Sequence, residues 1–225
     1  AAAGEVAAED NDFVFAVSDG MGGERSGEFA SKFALDNITR LMPRRFQISP
    51  RHRNLGIGEC LTDLFLGTHR QISTLGQSYA QGRNMGATLS MLWYIGGTVH
   101  FGHVGDSRIY HLPRQGGISQ LTEDHTHVGW LRRSGKLNER EARQHPRKNV
   151  LSQSLGASNQ FVKPQVGSLP AEPGDRFLLC TDGVIEGLWD RGLEDLIRSP
   201  STADHSQSPA SRIVEAAVAE SGRDN

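Results

Sequence analysis

Ala87-Thr-Leu-Ser-Met-Leu-Trp-Tyr-Ile95 runs straight into Gly96-Gly97 and out again as Thr98-Val-His-Phe-Gly-His-Val104. Two β-prone runs separated by two glycines read as a hairpin, because glycine enters the left-handed region of a two-residue turn without steric cost. Working outward, Ser107–Leu112 reads as a third strand, and Ile118–Leu121 as a fourth beyond a turn containing proline and glycine. Sequential hairpins make antiparallel neighbours, whereas parallel neighbours need a crossover helix. The expected fold class is therefore α+β.

On the N-terminal side, Phe13–Ser18 reads as a strand ending in the turn Asp19–Gly23. Ser26–Leu41 then reads as a helix with Phe29, Ala30, Phe33, Ala34, Ile38 and Leu41 on one face, capped by Ser26 and ended by Pro43. A second helix is expected from about Ile57 to Leu75, with Leu61, Leu64, Phe65, Thr68 and Ile72 inward. On the C-terminal side, Glu123–Gln144 is charged and helical in short pieces, broken at Gly135. Phe161–Gly167 and Arg176–Thr181 read as strands, Ser199–Ser211 as a low-complexity loop, and Arg212–Ala219 as a closing helix. No repeat or linker interrupts the chain, so residues 1–225 read as a single domain.

A formal net charge of -2 gives no global pull toward nucleic acid or an anionic membrane. No apolar run approaches the roughly 18–20 residues of a membrane span, and Ala1–Asp12 lacks a signal-peptide core. Cys60 and Cys180 lie far apart in different elements, and Cys180 sits in an apolar run as a small hydrophobe would. Those features set the expectation of a reducing, cytoplasmic location.

The chemistry concentrates in four carboxylates. Asp19 ends Phe13-Val-Phe-Ala-Val-Ser-Asp-Gly20, and Asp182 ends Phe177-Leu-Leu-Cys-Thr-Asp-Gly183. Asp106 stands in Val104-Gly-Asp-Ser-Arg-Ile-Tyr110, and Asp224 beside Asn225. Oxygen donors at strand ends, without a Cys/His cluster, suit hard divalent cations such as Mg²⁺ or Mn²⁺. Singly, each has a structural alternative. Asp19 could cap a strand-to-helix turn, Asp182 could open a turn, Asp106 could pair with Arg108 or bond the following turn amides, and Asp224 could be an ordinary polar chain end.

Rival chemistries fit less well. Asp19-Gly-Met-Gly-Gly23 is not a dinucleotide fingerprint, because Arg25 takes the third glycine position and no acidic strand end follows at the needed distance. Aspartyl-phosphate chemistry of the haloacid dehalogenase type needs a carboxylate two residues before the Asp-Gly aspartate, where Val17 and Cys180 stand. His100 and His103 point to opposite faces of one strand, and no histidine has zinc-site spacing.

Taken in order, the motifs resemble the metal-dependent Ser/Thr protein phosphatases of the PPM family, also called type 2C, in their bacterial branch. The carriers are Val17-Ser-Asp-Gly-Met-Gly-Gly23 with Gly27-Glu-Phe-Ala-Ser31, Gly86-Ala-Thr88, and His103-Val-Gly-Asp-Ser-Arg-Ile-Tyr110. Leu121-Thr-Glu-Asp-His125, Leu151-Ser-Gln-Ser-Leu-Gly156, Gly174-Asp-Arg-Phe-Leu-Leu-Cys-Thr-Asp-Gly183 and Gly222-Arg-Asp-Asn225 complete the series. The resemblance implies a four-layer α/β/β/α sandwich with two central antiparallel sheets. It implies two Mn²⁺ or Mg²⁺ ions held by Asp19, the Gly20 carbonyl, Asp182 and Asp224, and a weaker third ion at Asp106. It implies hydrolysis of phosphoserine and phosphothreonine on proteins by an activated water, in opposition to a cognate Ser/Thr kinase, by a monomer. Residues 123–156 correspond to the family's variable flap, where Arg132 and Arg133 are the candidate substrate-binding cations.

Three departures from the family pattern stand out. The Asn-x-Asp or Asn-Glu-Asp element of the family's first strand, usually with an arginine upstream, is not found, since Asp10 and Asp12 are too close to Asp19 to replace it. Either it lies before Ala1, or one metal ligand and the phosphate-binding arginine are absent. The chain stops at Asn225, before the strand that normally follows. Met21 takes the place of a histidine proposed as general acid in animal relatives. The missing first-strand acid leaves a second reading open, a catalytically silent regulatory or binding module on the same fold.

Overall fold

The computed structural model describes residues 12–48, 56–78, 84–158, 161–198 and 208–221. In chain order the first elements are β1 (Phe13–Val17), β2 (Gly20–Met21), α1 (Glu24–Ile48), α2 (Ile57–Ser78), β3 (Gly86–Ala87), β4 (Leu89–Ile95) and β5 (Thr98–Val104). Then come β6 (Arg108–Leu112), β7 (Ser119–Gln120), α3 (His127–Arg133), α4 (Glu139–Gln144), β8 (Leu155–Gly156) and β9 (Gln165–Pro170). The last are β10 (Arg176–Cys180), α5 (Asp182–Gly187), α6 (Asp190–Arg198) and α7 (Pro209–Ser221). These elements group into two compact units, residues 1–104 with 154–173, and residues 105–153 with 174–225.

The first unit is built on the hairpin. β4 and β5 pair antiparallel from Leu89↔Val104 to Ile95↔Thr98, and Gly96 and Gly97 make the turn at φ 55° and 78°. Positive φ at both central residues follows the right-handed twist of the strands, which is why two glycines work there. β1 and β9 extend the sheet to the order β1-β4-β5-β9, all antiparallel. A smaller sheet, β2-β3-β8, is also antiparallel.

α2 matches its periodicity: Leu61, Leu64, Phe65, Thr68 and Ile72 are all buried. The four apolar ones share a core with Ala30, Ala34 and Ile38 of α1 and with Leu89, Met91, Trp93 and Val104 of the strands. α1 departs from expectation in three respects. It begins at Glu24, so Ser26 lies within the first turn rather than capping it. It continues through Pro43 to Ile48, because a proline removes one ladder hydrogen bond without ending every helix. Phe29 is 46% exposed and stacks on Phe33, 6.1 Å between ring centroids, instead of entering the core.

The second unit has its own antiparallel sheet, ordered β10-β6-β7. β6 was expected to extend the first hairpin, but it pairs with β10 from Arg176↔Leu112 to Cys180↔Arg108. The β5 edge is already taken by β9, and Gly105, at φ 117°, breaks the chain direction between β5 and β6. Tyr110, Leu112 and Cys180 pack with Val184, Leu193, Ile213 and Ala217 of α5, α6 and α7 in a second core. Cys180 is free and buried, and burial pushes its thiol up to about 12, so it acts as the expected inert hydrophobe.

The segment after β7 is a closed lobe. Thr126 and Leu151 form an antiparallel bridge, and the Ser152 N–H donates to the His125 carbonyl at 2.8 Å. Inside it, Thr126 caps α3 by accepting from the Gly129 N–H at 2.8 Å. Asn138 and Glu141 make a reciprocal capping box on α4, at 2.9 and 2.7 Å. The expected break at Gly135 lies between the two helices, at φ 70°. Residues 154–156 belong to the first unit, where β8 pairs with β3.

Candidate functional site

In the first unit, Asp19 sits where β1 gives way to β2. Its N–H donates to Thr88 Oγ1 at 2.9 Å, its carbonyl accepts from the Thr88 N–H at 2.8 Å, and Ser18 Oγ donates to the Thr88 carbonyl at 2.6 Å. The backbone on either side of the aspartate is therefore pinned to the β3–β4 junction. Among the described residues, no hydrogen bond or ion pair engages the Asp19 carboxylate itself. Next to it, Gly20 pairs with Ala87, and a Cβ there would lie 2.0 Å from the Gly27 carbonyl oxygen. Only a bare backbone lets α1 come this close to β2, which leaves Asp19-Gly20 in a tight strand-to-helix corner.

In the second unit, Asp106 and Asp182 line one cavity of about 130 Å³. Asp106 lies in the turn before β6, and Asp182 is the first residue of α5, separated from β10 by Thr181 alone. The neighbouring strands β6 and β10 bring their ends to the same place, and with them the two carboxylates. His125 fixes the Asp106 turn from the opposite side: its N–H donates to the Gly105 carbonyl at 2.7 Å, and its Nδ1 accepts from the Gly105 N–H at 3.2 Å.

Much of the remaining lining is charged. Arg108 does not pair with Asp106, one of its two structural alternatives; it holds Asp124 through Nε and Nη2 at 2.8 and 2.6 Å. Burial would lift the Asp124 carboxyl, but Arg108 overrides it and holds the group below the usual carboxylate range. Arg132 lines the cavity and donates to Gln120 Oε1 at 3.3 Å. Arg133 does not line it; its Nε meets Glu123 at 3.0 Å and its Nη1 donates to the Asp124 carbonyl at 3.0 Å. Arg143, Lys148, Glu139 and Glu186 add further charge to the wall, and Thr126 and Asn149 bring a hydroxyl and an amide.

Sequence reasoning missed Arg108, Asp124 and Arg143 as site residues. Arg108 and Asp124 stand inside quoted motifs but sixteen positions apart, and no local signal pairs them. Asp224 and Asp10 lie outside the described residues, and Asp12 is exposed just before β1. Among the described residues, no group of three or more His, Cys, Asp or Glu side chains gathers as a metal site.

Residues 2–218 match the sequence profile described as protein phosphatase 2C. The chain belongs to that family. Protein phosphatase PhpP of Streptococcus pneumoniae is 34% identical over 183 residues, covering 81% of this chain and 72% of that protein. The Streptococcus agalactiae serine/threonine phosphatase structure superposes with a TM-score of 0.78 at 28% identity, covering 97% of this chain and 91% of that one. The catalytic domain of serine/threonine protein phosphatase PstP, solved in complex with two manganese ions, superposes at 0.76 with 28% identity, covering 99% and 90%.

For a protein phosphatase 2C, the donor chemistry is apt. The wall around Asp106 and Asp182 offers carboxylate, hydroxyl and amide oxygens and no thiol or imidazole. Such a set suits Mg²⁺ or Mn²⁺ over zinc. No helix among the described residues is long and apolar enough to cross a membrane.

Proposed function

We propose that this protein phosphatase 2C hydrolyses phosphoserine and phosphothreonine in proteins with two Mn²⁺ or Mg²⁺ ions. The observation that carries the reading is the shared cavity of Asp106 and Asp182, with oxygen donors alone, in a chain that matches the family from residue 2 to residue 218. Bound divalent ions supply charge neutralisation on the phosphate and an acidified water as nucleophile. The ligands assigned by resemblance are Asp19, the Gly20 carbonyl, Asp182 and Asp224, with Asp106 for a third, weaker ion. Asp19 is suited to this, since its backbone is fixed while no described partner holds its carboxylate.

In this reading Arg132 orients a phosphorylated segment, which is supported by its position on the cavity wall and its single long hydrogen bond, to Gln120, among the described residues. Arg133 is assigned a lesser part, since Glu123 and the Asp124 carbonyl already engage it. The partners in this reading are phosphoproteins and the Ser/Thr kinase that makes them. A cytoplasmic location is supported by two free, buried cysteines. A four-layer α/β/β/α sandwich is supported by antiparallel sheets that each pack helices of their own unit.

Turnover of a small aryl phosphate tests the reading. Activity that appears with Mn²⁺ and vanishes with a chelator is expected, whereas a folded chain without turnover would fit the silent module instead.

A further inference from the structure

The helix that carries Asp182 is too short to hold itself. α5 spans six residues, and its N-cap, Thr181, makes no side-chain capping bond. A single helical turn is unfavourable in isolation, so its geometry comes from what packs on it.

Its trailing carbonyls are taken by Arg143 of α4. Nη1 donates to the Ile185 carbonyl at 2.6 Å, and Nη2 donates to the Leu188 carbonyl at 2.9 Å. The guanidinium carbon sits 4.0 Å from the centroid of the Trp189 ring. Glu139, one turn back on α4, meets Nη2 at 3.5 Å. A second strut runs parallel: Lys148 Nζ donates to Glu186 Oε1 at 2.7 Å.

This set of contacts needs arginine. A rigid planar fork can serve two carbonyls with its edge while its face lies on an indole, which a lysine ammonium cannot do. The positive charge also complements the negative end of the α5 dipole.

We propose that Arg143 is a positioning residue for Asp182, tying the lobe around α4 to the metal-ligand helix. This role rests on the phosphatase reading above and adds a coupling to it. Seating of α4 on α5 favours ion binding at Asp182, and ion binding favours that seating by the same factor. Trp189 reports the state of the latch, because it is the aromatic face beneath the guanidinium.

Calorimetric titration of Mn²⁺ into the wild type, Arg143→Gln and Arg143→Lys tests the coupling without requiring turnover. Arg143→Gln should weaken Mn²⁺ binding by about tenfold, the lower end of the loss for a direct outer partner of a metal ligand, since Arg143 acts on Asp182 through the helix carbonyls. Arg143→Lys should recover only part of it. Tryptophan emission should change on Mn²⁺ addition in the wild type, and that change should be lost in Trp189→Phe. Unaltered Mn²⁺ affinity in a folded Arg143→Gln protein overturns the proposal. If that variant does not fold, Arg143→Lys decides: reduced affinity supports the latch and wild-type affinity overturns it. A wild-type chain that binds no Mn²⁺ overturns the phosphatase reading itself, an outcome distinct from the others.

Discussion

Arg108 grips Asp124 with one edge of its guanidinium, Nε donating to Oδ1 at 2.8 Å and Nη2 to Oδ2 at 2.6 Å. The same arginine donates from Nη1 to the Tyr110 hydroxyl at 2.7 Å, and that hydroxyl donates to Asp190 at 3.0 Å. A charge two residues beyond Asp106 is thus committed to the wall of the cavity. It fixes β6, the segment before α3 and the start of α6 relative to one another within the second unit.

Removing one partner of this pair should be costly. Arg108→Met strands a largely buried carboxylate, and breaking a buried pair in that way costs about 3–5 kcal/mol. Urea denaturation in the absence of metal should show it as a lower midpoint with an unchanged slope. The pair also has a pH signature. Asp124 is held below its ordinary value in the folded state, so its contribution is complete above the unfolded carboxylate range and is lost as pH falls through the depressed folded value.

His125 gives a second pH dependence, in a higher window. Burial disfavours its charged form and Arg133 adds to this, while Glu123 and Asp124 oppose; the net shift is downward. Its Nδ1 accepts from Gly105, so protonation would also break that contact. With the folded value below about 6.5, the unfolded chain takes up the proton first, and stability falls as pH drops through that value. His125→Gln should reduce the difference in unfolding free energy between about pH 7.5 and about pH 5.5 relative to the wild type. An identical difference in both proteins would show that His125 is not the group responsible.

Gly20→Ala should separate two backbones that now touch. The added Cβ would meet the Gly27 carbonyl oxygen at 2.0 Å, and backbone cannot swing aside as a flexible side chain can. Overpacking of this kind costs about 1–3 kcal/mol. Because the shift falls beside Asp19, metal-activated turnover should drop by more than the loss of folded protein. Thermal unfolding and kcat measured on the same preparation check both parts.

The hairpin at Gly96-Gly97 and the buried face of α2 were legible because each is written in local spacing. Leu61, Leu64, Phe65, Thr68 and Ile72 needed no partner to be recognised as one face. The move of β6 to a second sheet was not legible, since an alternating strand reads alike whichever neighbour it bonds. α5 and α6 were missed for another reason: six and nine residues offer too few turns for a period to show. At the site, the Asp-Gly aspartates were visible in sequence and Asp106 and Asp182 do share a cavity. The Arg108–Asp124 pairing was invisible because it spans sixteen positions, and the nearer Asp106 offered a simpler partner.

Conservative changes to the ligands should separate charge from shape. Asp106→Asn should keep the fold and lower turnover mainly at saturating metal. The loss should be milder than for the other aspartates, since its assigned ion is the weaker one. An unchanged rate would return Asp106 to a structural part in its turn.

Phosphate release from a phosphothreonine peptide, followed across a Mn²⁺ titration for the wild type, Asp19→Asn and Asp182→Asn, tests the central claim most directly. The wild type should be silent with chelator and should saturate with Mn²⁺. Each variant should unfold cooperatively yet lose at least about a hundredfold in rate, since changing an outer partner of a metal ligand already costs about 10–100-fold. Hydrolysis by the wild type that ignores both chelator and Mn²⁺, or either variant keeping the wild-type rate and metal dependence, would contradict the account.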